Sequence, residues 1–295
     1  MTERYTIALP PMTTRDDLLS GSEILDFYES GYLCPGRVFN DVEIDALRGL
    51  VASVQDRERD EGRVYDLLDP DLWPDVDEPR PTGAGPVEFL FNLWRVEPEI
   101  QPFVFNPILA RWASQLIGAR RVRLLEDNAL TKAPGSGGEL KWHQDFPYWP
   151  LAQPNAVTAW IALDDTDAGN GAMRMAVGSH LTGERLPSVF GTGTPYMRDQ
   201  RPAVVKPIED PAAMGFEVRT VALAAGEVSF HSSLVWHASG PNRTDHPRRA
   251  LVIRFVGDGT IWLGSQRYEY NYSDTEVGLS AGQPIGGEYF PLIPC

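Results

Sequence analysis

The sequence predicts a mainly β protein, a barrel or sandwich of short strands with helices gathered ahead of it. Three observations carry that expectation. Helical periodicity is confined to the chain before Gly118, and short apolar runs punctuated by Gly, Pro, Asn and Asp fill the chain after it. The two kinds of segment do not alternate, which argues against a doubly wound parallel sheet.

Taken in order, residues 1–21 read as an irregular arm. Ser22 to Ser30 reads as a short helix stopped by Gly31, and Tyr32 to Phe39 as an extended piece broken at Pro35-Gly36. Asn40 with Glu43 makes a capping-box start, after which Ile44, Leu47, Val51 and Val54 recur at helical spacing, so a helix is expected from about Asp41 to Arg59. Residues 62–86 carry prolines and acids without a period and read as a surface loop. Phe89 to Trp94 is an apolar run, and Pro107 to Ile117 a helix ending at Gly118. Strand composition then recurs in 121–126, 157–163, 172–177, 219–223, 228–231, 234–237 and 249–255. The aperiodic stretch 181–218, with Phe190, Tyr196 and Met197 among several arginines, reads as a lid over an active site.

The composition limits the partners. Of 295 residues, 26 are Lys or Arg and 41 Asp or Glu, a net charge of −15 that argues against nucleic acid and anionic membranes. No run reaches the roughly 20 apolar residues of a membrane helix, and no signal peptide is evident. The two cysteines, Cys34 and Cys295, read as reduced thiols of a cytoplasmic protein.

Chemistry enters at Trp142-His143-Gln144-Asp145-Phe146. On an extended strand His143 and Asp145 would point to one side, where a single metal could take both. A third ligand should come from a distant strand. His231 and His237 both qualify by position, and His237 is preferred for the Ala-Ser-Gly-Pro-Asn tail that follows it and leads to Arg248. Two histidines and a carboxylate occupy one face of an octahedron, the arrangement of non-haem Fe(II) oxygenases. Two of the open positions suit a chelating 2-oxo acid and the third O₂. Arg248 would then pair with a distal carboxylate. Phe146, Tyr148 and Trp149 are expected at the mouth of a substrate pocket, with Met173 and Met175 pointing inward from one strand face. Trp236 reads as packing, His180 as a turn histidine and His246 as exposed. Lys132 reads equally as a neighbour of the site or a solvent-facing strand end.

Four blocks in order resemble the phytanoyl-CoA dioxygenase family of Fe(II)/2-oxoglutarate-dependent oxygenases. They are Lys132-Ala-Pro-Gly-Ser-Gly with Trp142 to Tyr148, Thr158 to Asp165 with Asn170 to His180, Gly226 to Asn242, and Arg248. The resemblance spans about 22–257. It implies a double-stranded β-helix (a jelly roll, cupin-like), with His143, Asp145 and His237 as iron ligands. It further implies Arg248 and Ser239 on the C5 carboxylate of 2-oxoglutarate, and Trp160, Asn128 and Gln144 around the cosubstrate. The implied organisation is a single domain over 1–295, with a helical part at about 22–118, a core at about 119–257 and the 181–218 insertion. The implied reaction oxidises an unactivated C–H of a small metabolite, plausibly secondary, releasing succinate and CO₂. The carboxylate at Asp145 favours hydroxylation over halogenation. A cupin-like isomerase or hydrolase and a non-catalytic metabolite binder are the alternatives. No oligomeric state is implied.

Overall fold

The computed structural model describes residues 18–62, 64–66, 87–135, 138–184, 210–264 and 274–294. Its helices form where caps and apolar stripes coincide. At helix α1 (Gly21–Ser30), the Ser20 hydroxyl accepts from Glu23 N–H while the Glu23 carboxylate accepts from Ser20 N–H, and Gly31 at φ 86° ends the helix. Asn40 and Glu43 make the same reciprocal pair at α2 (Asp41–Asp60), whose buried face carries Ile44, Leu47, Val51 and Val54 as the periodicity predicts. Two single turns follow, α3 (Leu93–Val96) and α4 (Gln101–Val104). The Asn106 side chain caps α5 (Pro107–Ile117), and Gly118 at φ 65° closes it. A last turn, α6 (Asp274–Val277), lies near the C-terminus.

The strands form two antiparallel sheets. The larger contains β1 (Tyr32–Arg37), β2 (Tyr65–Asp66), β3 (Val87–Phe91), β4 (Val122–Lys132), β6 (Ala156–Ala162), β9 (Glu227–Ser232) and β11 (Arg248–Gly257), ordered β1-β9-β6-β11-β4-β3-β2, with β12 (Leu292–Ile293) added to β4. The smaller contains β5 (Leu140–His143), β7 (Met173–Ala176), β8 (Val218–Val221) and β10 (His237–Ser239), ordered β5-β10-β7-β8. This mainly β pair of curled sheets with flanking helices is the jelly-roll form expected.

Alternation along the large sheet sorts its side chains into two layers. Val157, Ala159 and Ile161 of β6 and Leu251, Ile253 and Phe255 of β11 join the helices in one core. Trp160, Ala162, Ala250 and Val252, one residue out of step, join Met173, Met175 and Leu140 of the small sheet in a second. Central strands covered on both faces read as continuous apolar runs, and β6 is buried at all seven positions. Trp112 of α5 locks the outer layer, fully buried with its ring edge-on to Phe230 at 6.2 Å. Truncating such a side chain costs about 3–5 kcal/mol.

Several local expectations change. Strand β1 runs through Pro35-Gly36 instead of breaking there. It lies at the sheet edge with a register shift between Leu33 and Gly36, where a missing N–H removes no ladder bond. Leu234 to Trp236 form a turn, not a strand. The Val235 N–H donates to Ser232 O, so pairing resumes only at His237. His143 ends β5, and Asp145 has φ −74° and ψ −44°, helical values that open the 3-10 turn Phe146–Tyr148. The two side chains therefore meet by a strand end and a turn, not by strand alternation. Most of the 62–86 loop and of the 181–218 stretch, including Phe190, Tyr196 and Met197, lies outside the described residues. Among the described residues no helix is long and apolar enough to cross a membrane.

Candidate metal centre and its cavity

His143 and His237 sit opposite each other in the β5–β10 pairing, which brings their rings together, tilted at 55° with centroids 4.0 Å apart. The turn after β5 swings Asp145 beneath them. Its Oδ1 lies 3.9 Å from His143 Nε2 and 3.7 Å from His237 Nε2. One ligand atom from each of the three lies within 4.8 Å of the others, and all three residues are buried. Both imidazoles are held in one tautomer. His143 Nδ1–H donates to Lys141 O at 2.7 Å and His237 Nδ1–H to Val235 O at 3.2 Å, leaving the Nε2 lone pairs turned towards Asp145. Burial pushes the His143 ring down to about 4 and His237 well below its ordinary range, so both are neutral bases. Burial alone would raise Asp145, but the His231 hydrogen bond and the Arg254 cation oppose it, and the carboxylate is held well below its ordinary range. Two neutral nitrogens and one anionic oxygen converging in a buried space fit a divalent metal.

The outer oxygen of Asp145 is also engaged. Thr158 Oγ1 donates to Oδ2 at 2.7 Å, His231 Nε2 lies 3.3 Å from it, and Arg254 Nε 3.9 Å. Arg254 is tied by its Nη1 to Glu126 Oε1 at 2.6 Å. His231 is thus a neighbour of the carboxylate, outside the three-residue cluster.

These groups open into a cleft whose non-atom space, open solvent included, is about 830 Å³. Arg248 is 1% exposed and lines this cleft, its guanidinium 5.2 Å from the Trp160 ring centroid. Nη2 donates to Gly171 O at 2.8 Å, whereas Nε and Nη1 have no partner among the described residues. Burial pushes the group down to about 10, which leaves it charged at neutral pH. The Ser239 hydroxyl and both amide atoms of Asn128, also lining the cleft, are buried with no partner among the described residues. A charge and several hydrogen-bonding atoms kept buried and unmatched are costly, and a bound anion with polar groups at both ends offsets that cost.

The remaining expected site residues divide. Tyr148, Trp149, Trp160 and Met173 line the cleft; Gln144, Phe146 and Met175 do not. Gln144 Nε2 donates to Gly183 O at 2.9 Å and Leu234 O at 2.7 Å, bracing two loops outside the cleft lining. Phe146 packs with Leu125 and Trp262, because the 3-10 turn aims it away from the mouth. Met175 is fully buried in the inner core, pairing with His237 across the sheet. His180 lies in a turn, its Nε2 3.0 Å from Tyr28 O. Lys132 does not face solvent: it is fully buried. The sequence reading missed Thr158, Arg254 and Glu126, and did not place Phe89 and Phe91 of β3 in the cleft wall. Strand alternation turns His231 towards the cleft, since Val228 and Phe230 face the helices and His231 is one residue out of step with them.

The family model for phytanoyl-CoA dioxygenase (PhyH) matches residues 27–250. Ectoine dioxygenase of Bordetella parapertussis is 25% identical over 246 residues, 80% of this chain and 75% of that protein. L-proline trans-4-hydroxylase of Streptomyces griseoviridis is 30% identical over 186 residues, 59% of this chain and 68% of that protein. Among solved structures, SnoK, a non-haem α-ketoglutarate-dependent carbocyclase from nogalamycin biosynthesis, superposes with a TM-score of 0.70 at 24% identity, covering 93% of this chain and 96% of that one.

Proposed function

We propose a reaction for this site from one premise: the chain belongs to the phytanoyl-CoA dioxygenase family. It is a 2-oxoglutarate-dependent non-haem iron dioxygenase acting on a small molecule, with Fe(II), 2-oxoglutarate and O₂ as metal and cosubstrates. In our reading the chain works as one catalytic domain in the cytoplasm. His143, Asp145 and His237 hold the iron, and Arg248 and Ser239 take the distal carboxylate of 2-oxoglutarate. Bound iron couples the conversion of 2-oxoglutarate and O₂ to succinate and CO₂ with oxidation of a substrate C–H.

The chain's own residues set the conditions for that chemistry. Lys141 O and Val235 O fix both imidazole tautomers. Thr158 occupies the outer oxygen of Asp145 and leaves Oδ1 to the metal. Trp160 flanks the Arg248 guanidinium, and Asn128 offers a donor and an acceptor in the same cleft. Tyr148 and Trp149 give the cleft beside the three-residue cluster an aromatic wall. The carboxylate at position 145 favours hydroxylation over transfer of a halide.

The single observation that carries the reading is the buried Arg248, whose Nε and Nη1 have no partner among the described residues, sharing a cleft with the three-residue cluster. For substrate, the Glu126–Arg254 pair gives the cleft wall both signs of charge among aromatic rings. That wall suits a compact polar metabolite better than a long acyl chain, in keeping with the ectoine and proline named for two relatives. The test is a panel of such metabolites, read by succinate release with Fe(II), 2-oxoglutarate and O₂. One member should give coupled succinate, and Arg248→Met should raise the 2-oxoglutarate KM by roughly 10- to 100-fold, the worth of a charged hydrogen-bonded pair. An unchanged KM removes Arg248 from the site.

A further inference from the structure

Lys132 has no part in the scheme above, yet it is among the largest fully buried side chains of the protein. It pairs directly with Arg248 across β4 and β11, so the two side chains leave the sheet on the same face. Its ammonium reaches three backbone carbonyls, Gly138 O and Ser239 O at 3.2 Å each and, closest, Gly240 O. Burial and the neighbouring Arg248 cation push Lys132 well below its ordinary range. Three converging acceptors nevertheless suit the three-proton form, because a neutral amine would leave one carbonyl facing a lone pair.

What these bonds hold is the wall behind the unpartnered Ser239 hydroxyl. Ser239 ends β10 and Gly240 begins the crossing towards β11, so the ammonium ties both to the Gly138 end of the loop before β5. Two further contacts converge on the same place. The Asn242 side chain donates to Lys132 O, Ala133 O and His246 O, bridging the end of β4 to the turn that precedes Arg248. Gly171, whose carbonyl accepts from Arg248, lies so close to Gly240 O that an added Cβ would stand 2.4 Å from it.

We propose that Lys132 is a positioning residue for the cosubstrate's distal carboxylate: its ammonium clamps the Ser239–Gly240 backbone so that the Ser239 hydroxyl and the Arg248 guanidinium point into the cleft together. The inference rests on the assignment of Arg248 to that carboxylate. It adds a residue that touches neither cosubstrate nor metal. A second buried cation beside Arg248 also makes this end of the cleft selective for a dianion over a monoanion, since only the former brings charge to it.

The test compares binding of 2-oxoglutarate with 2-oxovalerate, which has the same chain but a methyl in place of the distal carboxylate. Dissociation constants are measured without O₂ on the Fe(II)-loaded protein by tryptophan fluorescence, so no turnover is needed. Lys132→Met should weaken 2-oxoglutarate at least tenfold and leave 2-oxovalerate within about twofold. Lys132→Gln keeps two N–H donors without the charge; it should fall between, and it stands as the test if the methionine variant does not fold. Equal weakening of both ligands, or of neither, overturns the proposal. Wild-type protein that binds the two acids equally would instead sink the Arg248 assignment, independently of Lys132.

Discussion

Asp145 carries two duties on two oxygens, and the residues around it keep them apart. Oδ1 faces the imidazoles, and Oδ2 is occupied by Thr158 with His231 and Arg254 beside it. Oriented ligands bind more tightly than free ones because the freedom they would lose is already gone. Thr158→Val deletes the 2.7 Å donor without changing shape, and we expect Fe(II) affinity to fall about tenfold in an anaerobic metal titration. A second carboxylate tests burial by itself. Asp127 is wholly buried, its Oδ1 accepts weakly from Trp94 N–H at 3.4 Å, and burial pushes it up to about 7. The folded protein therefore keeps a proton that the unfolded chain surrenders near pH 4, and native stability falls as pH rises from about 4 to 7. Asp127→Asn should flatten that fall, with a gain over wild type on the order of 4 kcal/mol at pH 8 and almost none at pH 4, read from denaturant midpoints.

At the scale of elements, the site depends on where strands stop. His143 and His237 are set by strand pairing, Asp145 by the turn after β5, and Arg248 by the first position of β11. Gly171 is the joint between them. It has φ +84° and no room for a side chain against Gly240 O. Gly171→Ala should both lower the melting temperature and raise the 2-oxoglutarate KM severalfold, because the strained turn carries the carbonyl that holds Arg248. Metal-capable side chains, helix caps and apolar periods were legible from the sequence because each is a local signal: Asn40 with Glu43, Gly118, His143 with Asp145. The strand expected at Leu234 to Trp236 failed because apolar composition does not distinguish a buried turn from a strand. Gln144 falls outside the cleft lining because a residue between two ligands faces elsewhere, and only tertiary structure supplies Gly183 and Leu234 as its partners. Thr158, Arg254 and Glu126 stayed hidden because they lie on strands far apart in sequence, and register alone brings Thr158 and Arg254 to Asp145 and Glu126 to Arg254.

Over the whole molecule, the two cores divide the labour. The outer one fastens α1, α2 and α5 to the large sheet and supplies rigidity; the inner one is left incomplete at the cleft, where polar groups replace apolar ones. A chain of net charge −15 thus keeps two basic side chains buried together, Arg248 lining that cleft and Lys132 paired with it across β4 and β11. Such an arrangement favours an anionic ligand at the Arg248 end of the cleft and a metal cation at the other, beside Asp145. The most direct measurement of this division is optical. Fe(II) and 2-oxoglutarate added together to metal-free protein without O₂ should produce a weak visible charge-transfer band, because a 2-oxo acid chelates only a metal held with adjacent open positions. The band should need both additions and should vanish in His237→Ala. If Fe(II) and 2-oxoglutarate each bind but no band forms, metal and cosubstrate occupy separate places, and the shared centre built from His143, Asp145, His237 and Arg248 is contradicted.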